Sequence, residues 1–333
     1  MRFTVTQPTH HFDLELCVSS GQVFRWARQP GGGWLGVDGE HWYRVTAPPL
    51  QGTCLGEGLS TVLVQATGMN RDAKRDALAY VAEPRRIYDE VTYHVETNGT
   101  ETDFRNLFRL DWNADEVRAE ILRRGPEVEP YLGSLEGLRL MRPRDSVETF
   151  FSFLCTPNNN LPRIVTMVAA LAKYGPVLDT VEGIELRRFP EVDEVAAIPE
   201  AELRERKFGY RAATIPRAAQ ELARRGGRDY LESLKRAPYE EAHAELVSFH
   251  GIGPKLADCI ALFALHHTCA VPVDTHLWHA ATRLYFPEWE KAAITDLKYK
   301  AVSAHVRSRF GDLTGWAHQH LFFDSVLNWR SRK

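Results

Sequence analysis

The sequence predicts an α+β protein, with an antiparallel sheet in the first third and a helical core over the rest. Two patterns carry that expectation. Residues 24–47, FRWARQPGGGWLGVDGEHWYRVTA, set short runs of Trp, Val and Tyr between GGG and DG turns, the signature of hairpins. From about Ser146 onward, nine segments repeat apolar residues at i, i+3 and i+4, and the linkers between them are short.

Taken in order, LSTVLVQATG (59–68) reads as a further strand, and RDAKRDALAYVAEP (71–84) as a helix ended by Pro84. These elements make residues 1–130 a mixed region built on an antiparallel sheet, and residues 131–333 the helical core. Its helices are read at 147–155, 163–175, 201–209, 215–227, 239–249, 254–266, 274–285, 297–311 and 316–329. Gly175, Gly209, Gly226 and Gly311 stand where helix C-caps are expected.

The chain has 333 residues, 44% hydrophobic and 26% charged, with a net charge of −3 and a pI near 6.5. That is ordinary globular composition. No apolar run approaches the ~18 residues of a membrane span, so no membrane association is expected. The start MRFTVTQPTHHFDLE lacks a basic segment followed by an apolar one, so an intracellular protein without a secretion signal is expected. Five cysteines (Cys17, Cys54, Cys155, Cys259, Cys269) are odd in number and lack CxxC spacing. That excludes a complete disulfide framework and a clustered zinc or iron–sulfur site. Mild net acidity argues against nucleic-acid binding, but residues 203–236 carry ten basic against four acidic side chains. Alone, such a segment reads as a solvated face.

The chemistry concentrates in FHGIGPKLADC (249–259) and VPVDTHLWH (271–279). Gly251 and Gly253 make a turn whose backbone can approach a phosphate, and Pro254 suits the first helical position. Lys255 and Cys259 are one turn apart on the helix that follows. By spacing alone Lys255 reads as a lysine snorkelling to water, or as an amine nucleophile with a burial-lowered pKa. Asp274 reads as an ordinary N-cap, and His276 lies in the first turn it caps.

Together, GIGPKLADC and VPVDTHLWH resemble the helix–hairpin–helix (HhH-GPD) DNA glycosylase superfamily. SGQVFRW (20–26), FFSFLCTPNNNLPRI (150–164), FGYRA (208–212) and YEEAHAEL (239–246) extend the resemblance to the 8-oxoguanine DNA glycosylase family, over nearly the whole chain. The resemblance implies a TBP-like N-terminal sheet domain and a helical core that admits division into two subdomains with the site between them. It implies a bifunctional glycosylase and AP lyase that flips 8-oxoguanine, opposite cytosine, out of double-stranded DNA. Lys255 matches the lysine that attacks C1′ and forms a Schiff base, and Asp274 the aspartate that favours the cationic sugar. Gly21 matches the glycine whose carbonyl accepts N7–H of the lesion, a proton that guanine lacks. Cys259 and Phe322 match the residues that sandwich the base, and Phe263 the pocket wall. Asn158, Arg163 and Arg211 match the residues on the orphaned cytosine, Tyr210 the wedge, and His276 a phosphate contact. The basic 203–236 segment then flanks Tyr210 and Arg211.

No cofactor is expected and the chemistry requires no metal, although the carbonyls of Val247, Phe249 and Ile252 form a candidate cation cradle. A monomer is expected. Three positions depart from the family pattern. His318 stands where a glutamine usually reads the base's Watson–Crick edge, and it cannot make an amide's paired contact. Gln319, about 100° further round the helix, points elsewhere. His250 replaces a proline in the hairpin, and Phe263 stands where methionine is common. These departures leave open an altered lesion range, such as another oxidised or an alkylated purine. A non-catalytic DNA-scanning module needs neither Lys255 nor Asp274. A monofunctional alkylbase glycosylase needs only Asp274.

Overall fold

In strand β5 (Glu90–Thr97), Val91, Tyr93, Val95 and Thr97 are buried while their neighbours are open, the period of a strand covered on one face. It pairs antiparallel with β1 (Arg2–Pro8), Val5 opposite Tyr93. The computed structural model describes residues 1–47 and 89–328, so the elements expected at 59–68 and 71–84 lie outside the described residues. Helix α1 (Leu14–Ser19) and strands β2 (Trp26–Arg28), β3 (Trp34–Asp38) and β4 (His41–Thr46) follow β1. The sheet runs β1-β5-β4-β3-β2 with antiparallel neighbours throughout. Trp26, Gly36 and Tyr43 form one cross-strand row. A Cβ on Gly36 would lie 2.1 Å from the Trp26 ring, so only glycine lets that indole lie across the sheet and stack on Tyr43 at 6.0 Å.

Helices α2 (Glu101–Leu107), α3 (Ala114–Arg124) and α4 (Glu129–Gly133) come next. Phe104 and Phe108 pack on Phe12 to close the sheet's core. The helical core holds α5 (Ser146–Leu154), α6 (Leu161–Ala172), α7 (Val192–Ala196), α8 (Glu200–Glu205), α9 (Arg211–Arg225) and α10 (Gly227–Arg236). It continues with α11 (Tyr239–Val247), α12 (Pro254–Phe263), α13 (Thr275–Tyr285), α14 (Asp296–Phe310) and α15 (Thr314–Asn328). Each helical segment read from the sequence after Ser146 overlaps one of these helices, several of which begin one to four residues earlier than read.

Two expectations need correction. The chain after Ser146 is not wholly helical, because β6 (Val177–Val181) and β7 (Ile184–Arg187) form a hairpin. Its turn, Glu182–Gly183, has positive φ at both positions (51° and 78°), the geometry that matches strand twist. The hairpin packs back on the sheet, Leu186 against Leu35 and Val37, with Trp42 Nε1 donating to Asp179 at 2.7 Å. Gly175 is not a left-handed cap: a Cβ there would meet the Arg188 carbonyl at 2.0 Å, so close backbone approach requires it. Gly226, with φ of 113°, does cap α9 in the left-handed region.

Arg139 joins the two layers from a buried position. Its guanidinium donates to the carbonyls of Phe108 (2.8 Å), His11 (2.9 Å), Trp112 (2.6 Å) and Arg109, and lies 5.2 Å over the Trp316 ring.

Candidate active site

Helix α11, the turn 248–253 and α12 form a helix–hairpin–helix. Gly251 has φ of 84°, and a Cβ there would strike Thr214 at 2.7 Å, so this turn position requires glycine. Gly253 is the extended N-cap of α12 with open space where a Cβ would be, and Pro254 opens the helix. The Phe249 carbonyl accepts Ile252 N–H at 3.1 Å, and Phe249 and Ile252 bury their side chains while Val247 stays exposed. His250 is exposed at the turn.

Lys255 is half-buried at the second position of α12. Cys259 raises its ammonium above the ordinary lysine range; burial opposes this and the Asp274 carboxylate reinforces it. Burial pushes the Cys259 thiol up to about 11, so it is uncharged at neutral pH. Asp274 caps α13, accepting Leu277 N–H at 2.8 Å. The capping bond fixes the carboxylate beside the amine's helix. Cap and electrostatic partner are one residue, so the structural and chemical readings of Asp274 do not compete.

His318 on α15 is buried, and its ring stacks on Phe322 at 5.9 Å and 11°. Phe322 in turn meets the His276 ring edge-on at 5.8 Å, and His276 Nδ1 lies 3.4 Å from Ser325 Oγ. His318 Nε2 lies 3.1 Å from the Pro272 carbonyl. A carbonyl only accepts, so Nε2 carries the proton and Nδ1 is a bare lone pair. That Nδ1 is buried with no hydrogen-bond partner among the described residues. Burial lowers the imidazole to about 4, partly offset by Asp274, and Lys255 lowers it further. The ring is therefore neutral at pH 7.

Gly21 lies on a turn braced from α15 and from Gln22. It has φ of 77° and nothing within 4 Å of a Cβ position. Gln319 Nε2 donates to the Ser20 carbonyl at 3.0 Å, the role taken by the side chain that points away from His318's direction. Gln22 donates to Ser20 Oγ (2.9 Å) and the Arg139 carbonyl (2.8 Å) and accepts Met141 N–H (2.8 Å). Phe263 is buried and stacks on Phe153 at 5.2 Å, and Phe153 meets Phe24 at 5.7 Å.

A second cluster gathers at the α5–α6 loop. Asn158 is exposed with φ of 50°. Tyr210 is 53% exposed, unusual for a large aromatic side chain, and its hydroxyl donates to the Pro157 carbonyl at 3.1 Å. Buried Arg211 donates to the same carbonyl and lies 4.6 Å from the Tyr210 ring. Arg163 reaches the Lys207 carbonyl at 2.9 Å. The basic 203–236 segment is less cationic than its sequence. Arg204, Arg206, Arg225, Arg228 and Lys235 pair with carboxylates, whereas Lys207, Arg211, Arg217, Arg224 and Arg236 make no ion pair among the described residues.

Asp258 escaped the sequence reading. It is fully buried on α12 and accepts from the hydroxyls of Tyr239 and Tyr299. The signal was an acid inside the otherwise apolar KLADCIALF face.

A helix–hairpin–helix with a lysine at the head of its second helix and a capping aspartate on the next defines the class. Residues 152–303 match the HhH-GPD superfamily of base excision DNA repair proteins. Residues 4–150 match the 8-oxoguanine DNA glycosylase N-terminal domain, and the chain belongs to the 8-oxoguanine DNA glycosylase family. It is 36% identical over 241 residues to N-glycosylase/DNA lyase OGG1 of Arabidopsis thaliana, covering 70% of this chain and 66% of that protein. It is 34% identical over 219 residues to N-glycosylase/DNA lyase of Saccharomyces cerevisiae, covering 58% of each. The chain thus spans less than two thirds of the length of these curated relatives. A crystal structure of Clostridium acetobutylicum 8-oxoguanine glycosylase/lyase, with double-stranded DNA containing cytosine opposite 8-oxoG, superposes with a TM-score of 0.72. Identity there is 27%, over 95% of this chain and 92% of that one. No helix among the described residues is long and apolar enough to cross a membrane.

Proposed function

We propose that the protein is a DNA glycosylase and AP lyase that flips 8-oxoguanine from duplex DNA and excises it, preferentially opposite cytosine. The observation that carries the reading is Lys255 at the head of the hairpin's second helix, held in the field of the capping Asp274. A side-chain amine cannot reach C1′ inside a stacked duplex, so the nucleotide must leave the stack.

The chemistry then follows. The C1′–N9 bond breaks with its electron pair going to the base, and the Asp274 carboxylate stabilises the oxocarbenium-like sugar. Lys255 begins as an ammonium. It passes a proton to the departing base anion, and its freed lone pair bonds C1′. Ring opening gives the Schiff base. Loss of a C2′ proton then expels the 3′ phosphate by β-elimination. Cys259, a neutral thiol, and Phe322 hold the base faces. The Gly21 carbonyl accepts N7–H, which separates the lesion from guanine. Asn158, Arg163 and Arg211 serve the orphaned cytosine, with Tyr210 filling the gap and the hairpin and His276 on phosphates. Such a substrate places the protein where DNA is, inside the cell.

His318 narrows how the base is read. Its locked tautomer offers one acceptor and no donor, which matches the N1–H and N2–H₂ edge of a guanine-type base. This favours an oxidised guanine over a purine with a bare N1. The reading is tested by measuring base release from duplexes carrying 8-oxoguanine opposite each normal base. Release fastest opposite cytosine is expected. Faster release of methylated purines from matched duplexes contradicts it.

A further inference from the structure

The chemistry above leaves Asp258 unused, although it is fully buried on α12, one turn from Lys255 and adjacent to Cys259. Burying a carboxylate is costly unless hydrogen bonds satisfy it. Here two phenols do so, Tyr239 of α11 on Oδ1 and Tyr299 of α14 on Oδ2. His243 Nε2 stands 3.7 Å from Oδ2, and the Arg307 guanidinium lies 4.0 Å from the Tyr239 ring.

The two phenols differ in one respect. The Tyr299 oxygen also accepts the backbone N–H of Val273 at 3.4 Å, and Val273 precedes Asp274. Residues 270–274 are outside any helix or strand, so this N–H has no ladder partner of its own. A phenol has one proton. Given to Asp258, that proton turns the oxygen's lone pairs toward Val273.

We propose that Asp258 is a positioning residue for Asp274. It orients the Tyr299 hydroxyl, which holds the Val273–Asp274 backbone at a set distance from α12, and α12 also carries Lys255. Amine and carboxylate are thereby spaced from one buried anchor. The proposal rests on the roles of Lys255 and Asp274 given above.

Tyr299→Phe and Tyr239→Phe each remove one hydroxyl from the same carboxylate, and only the first also removes the contact to Val273. Single-turnover release of 8-oxoguanine is measured for both, with binding to a duplex bearing a tetrahydrofuran abasic analogue. Tyr299→Phe is expected to slow release on the order of 10- to 100-fold, the effect of slightly misplacing a reacting group, with duplex affinity unchanged. Tyr239→Phe is expected to stay within about threefold of the wild type, an order below that misplacement effect. Asp258→Leu is the second variant and should slow release as Tyr299→Phe does, because it leaves the Tyr299 hydroxyl without the acceptor that orients it. Equal slowing by the two tyrosine variants, or slowing by neither, overturns the positioning role while wild-type release leaves the glycosylase reading intact. No release by the wild type overturns both.

Discussion

Replacing His318 with phenylalanine separates stability from function in opposite directions. The ring stack on Phe322 survives, because phenylalanine keeps the plane and nearly the volume. One hydrogen bond is lost, Nε2–H to the Pro272 carbonyl, worth about 0.5–1.5 kcal/mol net. One liability is also lost, the buried and unpartnered Nδ1, which costs about 1–3 kcal/mol in the free protein. The folded state should therefore lie between about 0.5 kcal/mol less stable and about 2.5 kcal/mol more stable, the difference of those two contributions, since the Pro272 carbonyl keeps the Asp274 N–H. With the base in place, Nδ1 gains its donor, so the variant forfeits about 1–3 kcal/mol of binding to the flipped base, roughly 5- to 150-fold in kcat/KM. Urea unfolding and steady-state release of 8-oxoguanine measure the two effects on one preparation. A variant destabilised by more than about 1 kcal/mol would show that Nδ1 is already satisfied in the free protein. An unchanged kcat/KM would show that it never meets the base.

Three further outcomes are expected. Gly21→Ala should cost about 1–2 kcal/mol for a left-handed backbone and abolish most base release, since its Cβ enters the open space at that turn; unchanged release would remove Gly21 from the pocket. Arg139→Met removes the guanidinium from four carbonyls, two of them at buried contacts, and should lower urea stability by about 3–5 kcal/mol, and a loss below about 1 kcal/mol would contradict that joint. His320 is buried with its pKa lowered to about 4, burial being the main cause. The unfolded chain then binds the proton first as pH falls, so this contribution is full above about 6.5 and is lost down to about 4. Between pH 7 and 5 the wild type should lose about 2 kcal/mol more than His320→Phe, and parallel pH profiles would refute it.

The legible parts of the fold were those whose signal is local. The 24–47 hairpins announce themselves by GGG and DG, and the helices by apolar spacing. The β6–β7 hairpin was hidden because its turn, Glu182–Gly183, lies at the head of an acidic stretch within a helical region. Its strands also gain cover from Leu35, Val37 and Trp42 of a sheet distant in sequence. Gly175 looked like a cap because sequence shows a glycine after a helix and not the carbonyl of Arg188 pressed against it. In the candidate site, spacing placed Lys255 and Cys259 one turn apart on one helix and Asp274 at the next N-cap, where they stand, while the roles proposed for them come from the family resemblance. The tautomer of His318 was not legible, since it is set by the Pro272 carbonyl 46 residues away. Likewise Asp258 could be seen as a misplaced acid, but its link to Val273 runs through Tyr299, 41 residues on.

The central claim is that Lys255 bonds covalently to the sugar. Borohydride added during reaction with an 8-oxoguanine·cytosine duplex reduces a Schiff base to a stable amine. On a denaturing gel, the wild type should yield a protein–DNA band, and Lys255→Gln should yield neither that band nor strand cleavage. A covalent band or retained cleavage in Lys255→Gln would assign the nucleophile elsewhere and contradict the account.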